Sequence, residues 1–197
     1  MLKKHFFFKE KLNTGQAGEL ELSPLGSLSI PVKNSVWGVP AFLVVLSSSF
    51  LLLFIRALSI PLPFTFVPLV FVSQAIFLLA WKLGAKKAFF AVLCFLLQGY
   101  FLHLIPIGAL CGYQMGYLVS ALIIGYASDR NKELGALGLF GLFSLAQLGI
   151  YLCGLILLTA LFGLKTALAS GLWPFLLTDL LKNILTARIA SQKTFNR

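Results

Sequence analysis

Charge is what this sequence has least of. Only 11% of its 197 residues are charged and 59% are hydrophobic, whereas a soluble domain usually carries about 25% charged residues. That balance excludes an ordinary water-soluble fold. Acidic groups are scarcer still, six against sixteen Lys and Arg, and beyond residue 21 they reduce to Asp129, Glu133 and Asp179. So few carboxylates leave little for acid–base catalysis. Neither HExxH nor a GxxxxGK[ST] phosphate loop occurs, so the chain reads as no enzyme and as unable to hydrolyse ATP itself. The three cysteines, Cys94, Cys111 and Cys153, form no CxxC or Cys/His cluster; they read as small packing residues, with no metal site and no cofactor implied. The apolar runs do not alternate with polar residues, which argues against a membrane β-barrel.

What is present is a series of long apolar runs. A helical span needs about 20 mostly apolar residues, and the chain offers six such segments. They cover about 36–60, 64–81, 88–105, 107–128, 136–162 and 171–192, between an N-terminal tail over 1–35 and a C-terminal tail over 193–197. The expectation is an all-α integral membrane protein with six transmembrane helices.

The net charge of +10 then records orientation rather than nucleic-acid binding, because Lys and Arg collect on the cytoplasmic side of membrane proteins. With the N-terminus inside and six crossings, thirteen of the sixteen basic residues fall inside. Arg56 and Lys165 fall outside, and Lys182 lies within the membrane. Both termini are expected to be cytoplasmic.

The last segment, GLWPFLLTDLLKNILTARIASQ, holds the chemistry. Asp179, Lys182, Asn183 and Thr186 fall on one face of a helix. A charge at the bilayer centre costs about 2.5–3.5 kcal/mol on insertion scales, so it normally faces a cavity or a partner. The pair is either a ligand site or an ion pair locking two helices, and such pairs seldom improve on apolar packing. Counted from Pro174, the two charges lie about 7 to 12 Å into the outer half of the bilayer. A carboxylate there can accept from ring N–H groups and an ammonium can donate to a carbonyl, which suits a small polar heterocycle.

Other segments add candidates. Gln147 and Tyr151, four apart in segment five, are either site-lining donors or interhelical bonds. Gly108, Gly112, Gly116 and Ser120 form a small-residue stripe in segment four that admits another backbone or a ligand closely. Arg56 can snorkel to the headgroups or meet an anionic ligand at the mouth.

Three stretches share a resemblance. IPLPFTFVPLVFVSQ (60–74), GALCGYQMGYLVSALIIG (108–125) and WPFLLTDLLKNILTAR (173–188) resemble, in the same order, the proline-rich junction, the GPTGGYLxGF helix and the PFLPGDLLKxxLA helix of the BioY family. That family is the substrate-binding membrane component (S component) of energy-coupling-factor biotin transporters. The resemblance implies six helices and an outward-facing biotin pocket. It also implies association with an energy-coupling transmembrane protein and cytoplasmic ATPases, unless the chain acts alone. Asp179 and Lys182 match the family's D-x-x-K, expected to contact the ureido ring, and Gly112, Tyr113 and Gly116 match G-Y-x-x-G. Tyr113, Gln147, Tyr151 and Asn183 are further pocket candidates, and Arg56 or Lys165 would meet the ligand carboxylate at the mouth. Ala109, Leu110 and Cys111 depart from the usual P-T-G, and Leu177 and Thr178 from P-G.

The function implied is biotin uptake across the cytoplasmic membrane of a bacterium, from the outer face, in contact with membrane lipid. The alternatives are another small vitamin or heterocycle as cargo, or a non-transporting membrane assembly protein.

Overall fold

A computed structural model describes residues 39–58, 70–105, 107–131 and 133–192. The expected tails at 1–35 and 193–197, and most of the proline-rich stretch between the first two segments, lie outside the described residues. The described chain falls in one compact unit, Val36–Arg197. It is all helical: α1 (Val39–Ala57), α2 (Val72–Leu83), α3 (Ala85–Phe101), α4 (Cys111–Arg130), α5 (Ala136–Phe162), α6 (Leu164–Gly171) and α7 (Trp173–Ser191). The six longer helices occupy the six apolar segments, and α6 is a short extra one.

Burial follows the logic of a membrane protein. Large apolar side chains face outward, among them Phe42, Phe50 and Phe54 of α1 and Leu145, Leu152 and Ile156 of α5. Polar side chains, among them Gln114, Gln147, Asp179 and Asn183, face inward. In water that distribution would be costly; in lipid it keeps hydrogen-bonding groups beside protein partners. By length and hydropathy alone, α1 and α5 qualify as membrane crossings. The others carry more polar groups or have shorter described parts.

Two glycines set the corners. Gly84 (φ 79°) divides α2 from α3, and Gly163 (φ 82°) divides α5 from α6, in a left-handed region that side chains disfavour. The Asp129 carboxylate accepts from the Ala85 backbone N–H at 3.0 Å, which caps the start of α3. That cap explains why α3 begins three residues before the expected boundary at 88. At its far end α3 stops at Phe101, four residues early, in a turn where His103 takes φ 55°. Likewise α4 begins at Cys111 rather than 107, after a turn through Gly108 (φ 139°).

The hydrophobic core runs through α2, α3, α4 and α5, with Phe77 and Phe143 stacked at 5.5 Å between centroids. α4 packs on α2, α3 and α5, and α7 closes the bundle against α5 and α2. α2, α4, α5 and α7 therefore surround a common interior. The Ala85–Asp129 and Ser128–Trp81 hydrogen bonds join the end of α4 to the α2–α3 corner. Lys82, Lys86, Lys87 and Arg130 consequently share one end of the bundle.

Candidate functional site

Asp179 is 7% exposed on the inner face of α7. Its Oδ2 accepts from the Tyr151 hydroxyl at 2.6 Å and from Gln147 Nε2 at 3.1 Å, while its Oδ1 accepts from Lys182 Nζ at 2.9 Å. Three donors from two helices thus hold one carboxylate. Gln147 and Tyr151 sit one turn apart on α5 and converge because that spacing stacks them on one helix face. The choice between site-lining donors and interhelical bonds dissolves here, since they bond across the α5–α7 seam and also line the cleft.

Lys182 is held as firmly. Its Nζ also donates to the Val70 carbonyl at 3.3 Å and stands 5.2 Å from the centroid of the Phe71 ring, a cation–π distance. The ion pair is balanced in charge and oriented by neighbours, yet not saturated. A carboxylate offers about four lone-pair sites, and three donors occupy Asp179. Gln147 Oε1, buried, has no partner among the described residues, and neither does Asn183 Oδ1. Buried polar atoms normally have partners; Gln98 Oε1 and Ser144 Oγ lack one too, so it is the place of Gln147 on the cleft wall beside the ion pair that makes it a candidate acceptor.

Gln147 lines a cleft together with Ser73, Tyr113, Tyr117, Tyr151 and the ion pair, and with Val70, Ile150, Gly171 and Phe175. The mix of apolar walls with a few convergent polar groups is that of small-molecule sites. A second cleft shares Val70, Tyr113 and Tyr117 with the first and continues past Phe95, Ile105 and Leu110 to Arg56. Arg56 is half-buried and has no ion pair among the described residues. The two clefts have common walls; the first is the more polar, and the second, an apolar compartment apart from Gln114, ends at Arg56.

Of the other candidates, Tyr113 lines both clefts, and its hydroxyl donates to the Gly171 carbonyl at 3.0 Å, tying α4 to the α6–α7 corner. Gly112 and Gly116 do not line either cleft. They lie against the backbone of α5, where a Cβ on Gly112 would meet Cys153 and Gly154 and one on Gly116 would come within 2.6 Å of the Ile150 Cα. At Gly112 and Gly116 the small-residue stripe admits the backbone of α5. Asn183 is buried below the cleft on the same face and does not line it. Lys165 is exposed on α6 and lines neither cleft. Among the described residues no three His, Cys, Asp or Glu side chains gather as a metal site.

Sequence reasoning missed Tyr117 and Ser73. Tyr117 lies one turn after Tyr113, and that i, i+4 pair of phenols in an apolar helix was a usable signal. Ser73 had none beyond its neighbour Gln74, with which it shares a hydrogen bond at 2.9 Å.

Three comparisons bear on this site. The BioY family model matches residues 32–196. A probable biotin transporter BioY from Methanothermobacter thermautotrophicus is 36% identical over 87 residues, which cover 39% of this chain and 55% of that protein. The match thus spans about half the length of that curated relative. The crystal structure of the S-component for biotin from an ECF-type ABC transporter superposes with a TM-score of 0.66 over 78% of this chain and 89% of the other, at 23% identity. At that identity the superposition speaks for the fold.

Proposed function

The chain belongs to the BioY family, and from that premise we propose that it takes up biotin, binding the vitamin from the outer face of a bacterial cytoplasmic membrane. Both termini face the cytoplasm. The observation that carries the reading is the open acceptor Gln147 Oε1 beside a carboxylate and an ammonium held in fixed positions. A cyclic urea matches that set. Its N–H groups donate to Gln147 and to the remaining lone pair of Asp179, and its carbonyl accepts from Lys182. The thioether ring rests among Tyr113, Tyr117, Tyr151 and Phe175, and the aliphatic chain follows the shared wall into the apolar compartment. The chain's carboxylate then meets Arg56, which has no ion pair among the described residues. Lys165 has no part in that route.

No phosphate-binding loop is present in the chain, so energised release inward falls to an energy-coupling membrane protein and cytoplasmic ATPases, this chain supplying the biotin-binding component.

Binding of labelled biotin to the purified, detergent-solubilised protein tests the reading. We expect saturable binding and a ligand-dependent rise in unfolding temperature. Asp179→Asn and Lys182→Ala should each weaken binding by about thirtyfold or more, the equivalent of about 2 kcal/mol for truncating one partner of a buried charge pair. A folded parent that shows neither binding nor thermal shift would remove biotin as the cargo, and unchanged affinity in both variants would move the site elsewhere.

A further inference from the structure

On the outer surface of the bundle, below the site, the first turn of α5 and the last turns of α7 leave a groove between them. Its walls are Ala136, Leu137, Phe140, Ile184 and Ala187, and one charged residue, Arg188, stands at its edge. Leu137 and Ile184 are exposed, and Arg188 is exposed with no ion pair among the described residues. We infer that this groove binds an anionic phospholipid, with an acyl chain against the apolar walls and the headgroup phosphate on the Arg188 guanidinium.

Position and charge together select that occupant. The start of α5 and the end of α7 lie at the end of the bundle that also carries Lys82, Lys86, Lys87 and Arg130. Among the described residues the carboxylates there are two. Asp129, which caps α3, and Glu133, three residues before α5, stand against Lys82, Lys86, Lys87, Arg130 and Arg188. The first turn of α5 has neither a side-chain cap nor an acidic residue, which deepens the positive potential without forming a site by itself. An excess of basic residues marks the cytoplasmic side, where anionic lipids are enriched and draw basic groups. Within the groove, an apolar floor leads to a guanidinium that can grip phosphate with two parallel N–H donors. A zwitterionic lipid would satisfy the floor but not the charge.

The site lies where it can brace the binding apparatus. Arg188 follows Asp179 by nine residues, about 14 Å along α7. The same two helices that line the groove supply Gln147, Tyr151, Asp179 and Lys182 above it. A lipid seated between them holds the α5–α7 seam from its far end.

The test uses the full chain, delipidated in neutral detergent and supplemented with phosphatidylglycerol or phosphatidylcholine of matched acyl chains. The readouts are the unfolding temperature and the lipid retained in native mass spectrometry. We expect phosphatidylglycerol to raise the unfolding temperature by roughly 3 °C more than phosphatidylcholine, with one lipid retained. Arg188→Gln should abolish that excess, Arg188→Lys should keep most of it, and Lys87→Gln, on another corner, should keep it all. Equal effects of the two lipids, or an excess that survives Arg188→Gln, would overturn the assignment. So would an equal rise with soluble glycerol phosphate, which would leave the groove without a role. Dimerisation that excludes lipid from the groove would assign it to a second copy instead.

Discussion

α5 has two seams, and they are built on opposite principles. Against α4 it meets Gly112 and Gly116, and the helices approach until backbone touches backbone. Against α7 it sends out Gln147 and Tyr151 to hold a carboxylate. The first seam is close backbone packing; the second is polar, incompletely bonded, and borders the cleft. Rigidity and recognition are thus divided between two faces of one helix. The glycines of a family motif and the charges of a family motif do different work, although both sit in the stretches that carry the resemblance.

The largest expected effect breaks the first seam. Gly116→Leu would force a branched side chain into space held by the Ile150 backbone. Overpacking typically costs 1–3 kcal/mol and more where backbone must shift, so we expect a loss of about 3 kcal/mol or outright failure to fold, read as a fall in unfolding temperature. Any residual loss of biotin binding should scale with the fraction unfolded. A variant that is fully stable yet binds no biotin would place Gly116 on the ligand after all.

The seams also differ in how openly the sequence announced them. The polar seam was legible because a charge in an apolar run is anomalous, and the spacing of Asp179, Lys182 and Asn183 put the anomaly on one face. The glycine seam was visible as a stripe, but its meaning was not, since a stripe of small residues is equally suited to a ligand and to a neighbouring helix. Only distances decide that. The six long helices followed from hydropathy, whereas α6 did not. Its cause is the backbone of Gly163, whose positive φ ends α5 inside a run that remains apolar through Leu164. Lys165 lines neither cleft for the same reason, because the turn carries it onto an exposed face of α6.

A smaller effect sharpens the contrast between the two cations outside the pair. Arg56 terminates the apolar compartment and Lys165 lines neither cleft. Arg56→Gln should weaken biotin about tenfold, the loss of one charge-assisted contact of about 1.4 kcal/mol. It should leave biotinamide, which has no carboxylate, almost unaffected. Lys165→Gln should alter neither affinity. Equal losses for biotin and its amide would mean that Arg56 supports the cleft wall instead of the carboxylate.

The smallest effect lies within the polar seam, and it separates direct from indirect action. Tyr151→Phe removes one of the three donors on Asp179 and leaves Gln147 and Lys182 in place. A single hydrogen bond contributes about 1 kcal/mol net, so affinity should fall about fivefold. If the hydroxyl acts by holding the carboxylate toward the ligand, its loss should matter little once the carboxylate is gone. Tyr151→Phe made in an Asp179→Asn background should then cost almost nothing more, the non-additivity expected of residues in one network. Additive losses would instead mean that the Tyr151 hydroxyl meets biotin independently of Asp179. The α5–α7 seam would then recognise the ligand from both helices separately, not through one carboxylate that α5 orients.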